Sequence, residues 1–340
     1  EGLLAIKFRT LDDQGNVSGG PMYYITHGFS GKWQIIAKPL AYFFAFAGVL
    51  VAWLGIGTFS QVNSITSSLQ NSFGWSPKIV SVILALITAA IIFGGIQSIS
   101  KVSEKVVPFM AGLYIIAALI VIFANFNQLL PVLEMVFQSA FTGKAAVGGF
   151  AGATVMAAMR LGIARGVFSN ESGLGSAPIA AAAAKTEEPV EQGLISMTGT
   201  FIDTIIICTL TGLAILVTGQ WSGSLEGAPM TQAAFSSIFG TFGELALTLS
   251  LVLFAFTTIL GWSYYGERCF EFIFKSTKFL SFYRLIFVVM VALGGYLTLE
   301  VVWKIADIVN GLMALPNLIA LLVLSPIILK ESKSYFERHK

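Results

Sequence analysis

The sequence has 340 residues, of which 56% are apolar and only 11% are charged. A soluble domain carries about a quarter charged residues, so this composition excludes an ordinary water-soluble protein and indicates an integral membrane protein. The net charge of +2 is too small to suggest a nucleic-acid-binding protein. Cys208 and Cys269 both lie in apolar runs, which is typical of small core residues rather than of a disulfide.

The first residues, EGLLAIKFR, are typical of the last two turns of a helix leaving the membrane. Hydropathy then predicts eight spans of an all-α polytopic protein, since a bilayer crossing needs about 20 apolar residues. The spans cover residues 39–62, 79–96, 106–126, an interrupted span 148–184, 193–219, 243–273, 283–300 and 305–329. The stretch 127–143 is too short and too amphipathic to cross, and predicts an interfacial helix.

Basic residues indicate the orientation, because lysine and arginine concentrate in short cytoplasmic loops. If residues 7–38, which include the loop at 10–38, are cytoplasmic, fourteen basic residues lie inside and three outside. The inside set is Lys7, Arg9, Lys32, Lys38, Lys101, Lys105, Lys185, Lys275, Lys278, Arg284, Lys330, Lys333, Arg338 and Lys340, and the outside set is Lys78, Lys144 and Lys304. This asymmetry supports eight spans and predicts a cytoplasmic tail at 330–340.

Residues 165–178, RGVFSNESGLGSAP, place polar side chains and three glycines inside the interrupted span. Each glycine costs a helix about 1 kcal/mol relative to alanine, and Ser and Asn side chains compete for backbone hydrogen bonds. We therefore expect an unwound segment, which a membrane tolerates only where protein or a water-filled cavity satisfies the backbone. Transporters bind substrates and ions at such discontinuous helices. The alternative is a surface loop between two re-entrant helices.

Two further spans carry polar residues at membrane depth. Gln61, Ser64 and Ser68 fall at i, i+3 and i+7, which predicts a polar stripe on one helical face. This stripe either lines a site or joins helices by hydrogen bonds. Thr257 and Thr258 offer paired hydroxyl oxygens, which suit a hard cation such as sodium unless they bond to their own backbone.

Other ionisable residues have simpler explanations. Glu267 and Arg268 lie near the inner end of their span and are expected to snorkel towards water. Asp307 and Asn310 are expected to bond to neighbouring helices. Both histidines fall in segments predicted to be cytoplasmic, so no intramembrane histidine can serve as a base or metal ligand. The alternatives to a coupled transporter are a passive channel or facilitator and, with less support, an intramembrane enzyme using Glu171 with a serine.

Three stretches resemble the alanine/glycine:cation symporters, the sodium:alanine symporter family. They are NVSGGPMYYI at 16–25, GVFSNESGLGSAPIAAAAAKTEEPVEQGLISMTGTFIDTIIICTLTGLAIL at 166–216 and WKIADIVNGLMALPNLIALLVLS at 303–325. The resemblance implies a leucine-transporter-type fold of two inverted five-helix repeats. The eight spans then correspond to core helices three to ten, so that an extra N-terminal helix and core helix one lie outside this sequence. The interrupted span corresponds to core helix six, which that fold unwinds.

The resemblance also implies which residues meet the substrate. Phe168 would close over the substrate side chain, and the unwound backbone at Gly166, Ser169 and Asn170 would meet the amino-acid head group. Gln61 would contact the substrate from core helix three.

Further roles follow for core helix eight and for the charged neighbours of the break. Thr258 and Trp262 would limit the pocket to a small side chain, and Thr257 and Thr258 would be sodium ligands. Arg165 and Glu171 would form supporting ion pairs or take part in gating.

The expected function is sodium-coupled symport of a small neutral amino acid, alanine or glycine, across the plasma membrane. The expected partners are that amino acid, the sodium ion and the lipid bilayer, with no nucleic acid. No catalytic residue and no cofactor are expected, since sodium is a co-transported ion.

Overall fold

The computed structural model describes residues 1–94, 96–141 and 151–339. The described helices are α1 Gly2–Lys7, α2 Pro21–Gly28, α3 Gln34–Leu54, α4 Phe59–Phe73, α5 Pro77–Ile92, α6 Ile96–Ala124, α7 Phe126–Phe141, α8 Ala151–Asn170, α9 Ala177–Ala181, α10 Pro189–Phe201, α11 Thr209–Val217, α12 Ala228–Phe274, α13 Leu280–Gly294 and α14 Leu299–Arg338. Wider π-helical turns, Ile202–Cys208, join α10 to α11. Strands β1 Thr10–Leu11 and β2 Val17–Ser18 form an antiparallel hairpin.

Six described segments are long and apolar enough to cross a membrane. They are Gly31–Phe73, Val107–Ala124, Pro189–Val217, Ala228–Phe274, Thr277–Gly294 and Leu299–Arg338, and Pro77–Ile92 is a shorter apolar helix. An all-α, multi-pass membrane protein is therefore confirmed. The predicted interfacial stretch begins as α7, and its residues 142 and 143 lie outside the described part of the chain, as do 148–150 of the interrupted span.

The predicted span 39–62 is wrong as a single helix, because α3 ends at Leu54 and α4 begins at Phe59. The four residues between them include Gly55 and Gly57. A Cβ at Gly55 would lie 2.7 Å from Val309 Cγ2 of α14, so the backbone approaches its neighbours more closely than a larger residue permits. This contact between distant parts of the chain is the physical reason for the break.

Two other predicted spans contain irregular backbone. The span 193–219 includes the π-helical turns, which lie in the middle of an otherwise continuous crossing. The helix α12 extends well beyond the predicted 243–273 and is interrupted at Gly240, whose φ of +59° is not helical. Glycine adopts this conformation without the steric cost that a Cβ would impose.

The core lies where α3, α12, α13 and α14 pack together. Its largest fully buried side chains include Trp262, Tyr283, Phe44 and Phe287. Trp53 of α3 stacks on Tyr283 of α13 with ring centroids 5.6 Å apart. This contact holds the end of α3 against α13, next to the helix break that follows α3.

The expectation that Glu267 and Arg268 snorkel is wrong, because they are only 9% and 5% exposed. Arg268 forms ion pairs with Asp12 of the hairpin loop at 3.0 Å and with Glu271 at 2.7 Å. Arg284 of α13 binds Glu267 at 2.7 Å. The hairpin folds back onto α12 and supplies the charge partner, so the arginine stays buried rather than reaching water.

The predicted tail 330–340 continues α14 as a helix as far as Arg338. Glu331 accepts an ion pair from Lys7 at 2.7 Å, and Arg338 pairs with Glu188 at 3.2 Å. These contacts tie the end of α14 to the last residue of α1 and to the residue before α10.

Candidate functional site

The second helix break lies between α8 and α9 and comprises the six residues from Glu171 to Ser176. Three of these six residues have left-handed backbone, with φ of +56° at Glu171, +80° at Gly173 and +90° at Gly175. Asn170 caps the end of α8, since its side-chain Oδ1 accepts a hydrogen bond from the Ser172 N–H at 2.9 Å. The chain therefore turns sharply here rather than fraying.

The expectation that backbone at Gly166, Ser169 and Asn170 is unwound is wrong, because all three lie in the last turns of α8. One glycine costs a helix only about 1 kcal/mol, which packing and neighbouring turns can offset. The break needs left-handed residues, and these occur from Glu171 onward. The free backbone groups thus lie several residues later than predicted.

One carbonyl that the break frees is bound by the protein itself. Asn317 of α14 donates its Nδ2 to Gly173 O at 2.9 Å, and Tyr24 of α2 donates its hydroxyl to Asn317 Oδ1. Asn317 is completely buried. A Cβ at Gly175 would lie 2.7 Å from Phe44 of α3, so the break is also packed tightly against that helix.

Glu171 joins the break to α12. Its Oε1 accepts a hydrogen bond from Trp262 Nε1 at 3.0 Å, and its Oε2 accepts one from Ser176 Oγ at 2.5 Å. A glutamate at positive φ is strained, and such strain persists only where other contacts hold the residue in place. The two side-chain hydrogen bonds are those contacts.

Trp262 also touches the first break. Trp262 is 1% exposed, and a Cβ placed on Gly57 would lie 2.8 Å from the Cβ of Trp262. Gly57 belongs to the first break, between α3 and α4, whereas Glu171 belongs to the second. The two breaks therefore contact the same buried residue, one at its Cβ and the other at its indole N–H.

The other predicted residues on these helices lie close in sequence to this meeting point. Gln61 is half-buried in the first turn of α4, directly after the first break. Thr257 and Thr258 are half-buried on α12, and both hydroxyls donate to Phe254 O, at 2.8 and 3.0 Å. This is the backbone bonding that competes with cation binding, but it leaves the hydroxyl lone pairs free. Their role as sodium ligands stays a prediction.

The C-terminal end of α4 forms hydrogen bonds to α12. Gln232, in the first segment of α12, donates to Ser72 Oγ at 3.2 Å and to Thr248 Oγ1 at 2.6 Å, and accepts from Asn71 at 3.1 Å. It also donates to the carbonyl of Ser68 at 3.4 Å. These bonds join the end of α4 to α12, but the buried Ser68 hydroxyl has no hydrogen-bond partner in the described chain. The role of the stripe itself stays a prediction.

Phe168 lies on another face of α8, against α14. Its ring centroid is 4.8 Å from that of Trp303, and the Arg165 guanidinium lies 4.1 Å from the same Trp303 ring. Arg165 forms an ion pair with Asp307, which agrees with the supporting role predicted for it. Phe168 and Asp307 line a cavity of about 660 Å³.

A second cavity, of about 650 Å³, lies between α9, α10 and α12. Its lining is mostly small residues together with Asn170, Thr200 and Tyr265. The space has room for a small ligand or for another packed element.

Sequence reasoning missed Asn317 and Gly57. Asn317 lies in the stretch 303–325, and an amide side chain in an otherwise apolar helix could have indicated its role. Gly55 and Gly57, two glycines in the short run GIGT, were the signal for the first break.

Comparison with known proteins identifies the family. The model of the sodium:alanine symporter family matches residues 1–340. A transporter of uncharacterised function from Haemophilus influenzae is 51% identical, with the match covering 100% of this chain and 74% of that protein. The sodium/alanine symporter AgcS of Methanococcus maripaludis is 46% identical over the same shares. A probable sodium/glutamine symporter of Bacillus subtilis, GlnT, is 38% identical, covering 100% of this chain and 69% of its own length.

The match spans both helix breaks and the helices that hold Trp262. The chain therefore belongs to the sodium:alanine symporter family and is a multi-pass membrane transporter rather than an enzyme.

Proposed function

We propose that this protein is a secondary active transporter that couples the entry of a small neutral amino acid, alanine or glycine, to sodium. The single observation that carries this proposal is the meeting of two helix breaks at Trp262, in a chain of the sodium:alanine symporter family. Helix breaks at membrane depth offer backbone groups to substrates and ions. The relative named as a sodium/alanine symporter supports alanine as the substrate.

Substrate size would be set around Trp262 and Thr258, with Gln61 contacting the substrate from α4. The relative named as a probable sodium/glutamine symporter indicates that family members differ in the side chain they accept. Packing alone discriminates one methylene by about 1–3 kcal/mol. Phe168 remains a candidate for closing over the substrate side chain. Gly166, Ser169 and Asn170 remain candidates for meeting the head group from the last turns of α8 rather than through unwound backbone.

Coupling would arise because the ion and the substrate stabilise the same arrangement of helices. A sodium ion at Thr257 and Thr258 would lie one turn from Trp262 on α12, and would hold α12 in the position that completes the substrate pocket. The ion then raises substrate affinity, and the substrate raises ion affinity by the same factor. The membrane potential adds about 2.3 kcal/mol per charge per 100 mV.

We further propose that the protein resides in the plasma membrane with its C-terminal end in the cytoplasm. The distribution of basic residues supports this orientation. A protease-cleavable tag after residue 340 tests it, since right-side-out vesicles should protect the tag and inverted vesicles should expose it.

Uptake of labelled alanine by proteoliposomes containing the full-length protein tests the symport proposal. An inward sodium gradient should drive accumulation above the external concentration, and an inside-negative potential should increase it. Uptake that continues unchanged without sodium and without a potential would instead identify a passive facilitator.

Thr258→Ala should weaken sodium activation, because it removes one proposed ligand. Ser263→Ala is the matched control, since Ser263 lies on the same helix and its hydroxyl also bonds to its own backbone, at 2.7 Å from Leu260 O. Equal sodium activation in the two variants would remove Thr258 from the ion site.

A further inference from the structure

Asp203 is an ionisable side chain inside the apolar crossing segment Pro189–Val217. A carboxylate in the middle of a membrane helix is costly to insert, so such residues generally face a partner or a functional site. Within the described ranges, Asp203 forms no ion pair with a lysine or arginine. Arg165, on the neighbouring α8, is engaged with Asp307. The charge of Asp203 thus has no basic side chain to compensate it in the described chain.

Asp203 is surrounded mainly by oxygen atoms, with the Cys208 thiol 3.9 Å from its Oδ2. Ser169 Oγ donates to both carboxylate oxygens, at 3.1 and 2.9 Å, and Thr204 Oγ1 lies 3.2 Å from Oδ2. Asn170 Nδ2 donates to the same Thr204 hydroxyl at 2.9 Å. Hard cations take oxygen ligands of this kind, and each hydroxyl retains lone pairs for a metal ion. Four side-chain oxygens therefore converge at one point.

The backbone at this point is also unusual. Asp203 and Thr204 lie in the π-helical turns Ile202–Cys208, and π-helical turns are rare and frequently occur at functional sites. They place Asp203 opposite the last turn of α8.

This cluster is separate from the contacts already described. Ser169 faces the π-helical turns, whereas Phe168 packs on Trp303 of α14. Asn170, which holds Thr204, borders the cavity of about 650 Å³ between α9, α10 and α12. The threonine pair on α12 belongs to a different helix and shares no hydrogen bond with the cluster.

We propose that Asp203, Ser169 and Thr204 form a second cation site, which binds a sodium ion in addition to the ion at Thr257 and Thr258. This inference rests on the proposed function and adds a second co-transported ion to it. The ionisable side chains described near Asp203, Glu171 and Cys208, carry no positive charge, which favours a cation over an anion. The bound sodium supplies the positive charge that the described chain does not.

Asp203→Asn tests the site with little change of shape, because the amide retains an oxygen that accepts from Ser169 and loses only the charge. The sodium concentration that half-activates alanine uptake by the full-length protein in proteoliposomes should then rise about 10-fold or more. The Hill coefficient for sodium, which cannot exceed the number of sites, should fall from above 1 to about 1.

Thr204→Val provides a second variant if Asp203→Asn does not fold. Thr209→Val is its matched control, because Thr209 follows the same turns but its hydroxyl bonds only to Thr204 O, at 3.3 Å. Thr204→Val should raise the half-activating sodium concentration, and Thr209→Val should leave it unchanged.

Several outcomes would overturn the second site while leaving symport intact. One sodium ion per amino acid in the wild type, measured with ²²Na⁺ and labelled alanine, would do so. Wild-type sodium affinity in Asp203→Asn, or a change in pH dependence alone, would do so as well. Complete absence of sodium dependence in the wild type would instead overturn the proposed function itself.

Discussion

The indole N–H of Trp262 donates to the carboxylate of Glu171 across 3.0 Å, which joins α12 to the break between α8 and α9. The Cβ of the same tryptophan lies against Gly57, in the break between α3 and α4. Two helix breaks that are distant in sequence thus contact one side chain.

Trp262→Phe should weaken alanine transport through substrate affinity. Phenylalanine keeps an aromatic ring at this position, but the Glu171 carboxylate loses the hydrogen bond from the indole N–H. A hydrogen bond to a charged group is worth about 1.5–3 kcal/mol. We expect KM for alanine to rise about 10-fold or more, with a smaller change in maximal rate. Glu171→Gln, which keeps an acceptor for the indole, should have the smaller effect. Equal KM values for Trp262→Phe and the wild type would contradict this role.

Gly57→Ala should impair transport by displacing Trp262. The new Cβ would lie 2.8 Å from Trp262 Cβ and 2.7 Å from Ala52 O, and overpacking of this kind costs about 1–3 kcal/mol. Gly212→Ala is the matched control, because no atom of the described chain outside its own helix lies within 4 Å of the added Cβ. Uptake and thermal unfolding of both variants in detergent measure the difference, and equal behaviour would show that the first break tolerates a side chain.

Gly166→Ala should preserve or slightly increase stability, because Gly166 lies inside α8 and its added Cβ meets nothing within 4 Å in the described chain. Alanine favours a helix over glycine by about 1 kcal/mol. Gly175→Ala should be destabilising, since Gly175 has φ of +90° and lies against Phe44. A large loss of stability in Gly166→Ala would restore the original expectation that the chain unwinds there.

Arg268→Met should strongly destabilise the protein. Removing this arginine leaves the carboxylates of Asp12 and Glu271 buried without their partner, and breaking a buried ion pair costs about 3–5 kcal/mol. Lys304→Met removes an exposed partner of Glu300 and should cost less than about 1 kcal/mol. Thermal unfolding measures both, and similar losses would show that the buried network contributes no more than a surface pair.

Protonation of Asp12 should also lower the stability of the folded protein in acid. Burial of this carboxyl acts to raise its pKa, but hydrogen bonds from the Asn16 N–H, Arg268 and the Gln14 N–H outweigh burial and hold the pKa below its usual range. A depressed pKa stabilises the folded state above the ordinary aspartate pKa, and this contribution is lost as pH falls through the depressed value.

Asp12→Asn measures that contribution. The variant should unfold at a lower temperature than the wild type at neutral pH, and the two midpoints should converge as the pH is lowered below about 4. A difference that stayed constant down to low pH would exclude ionisation of Asp12 as its source.

Most helices could be predicted from the sequence, because long apolar runs give a strong signal that needs no knowledge of tertiary contacts. The break near Glu171 was placed several residues too early, since composition reports glycines and polar residues but not which of them adopts positive φ. The break at Gly55 and Gly57 was missed because the apolar run before the two glycines and the residues after them were assigned to one continuous span, 39–62. Its cause is close contact with Val309 and Trp262, which lie far along the chain.

The buried network around Arg268 could not be predicted for a related reason. Its partner Asp12 lies 256 residues earlier, in a hairpin whose docking on α12 no local pattern reveals. The cluster of Asp203 with Ser169 is similar, since the two residues are 34 positions apart and meet only because α8 packs against the π-helical turns. Long-range pairing of polar residues was therefore the information that the sequence lacked.

The position of Trp262 between the breaks has a mechanical consequence. The Cβ of this residue packs on Gly57 and its indole N–H holds Glu171. A change of backbone at one break therefore alters a residue that the other break contacts, which gives the two breaks a direct physical connection.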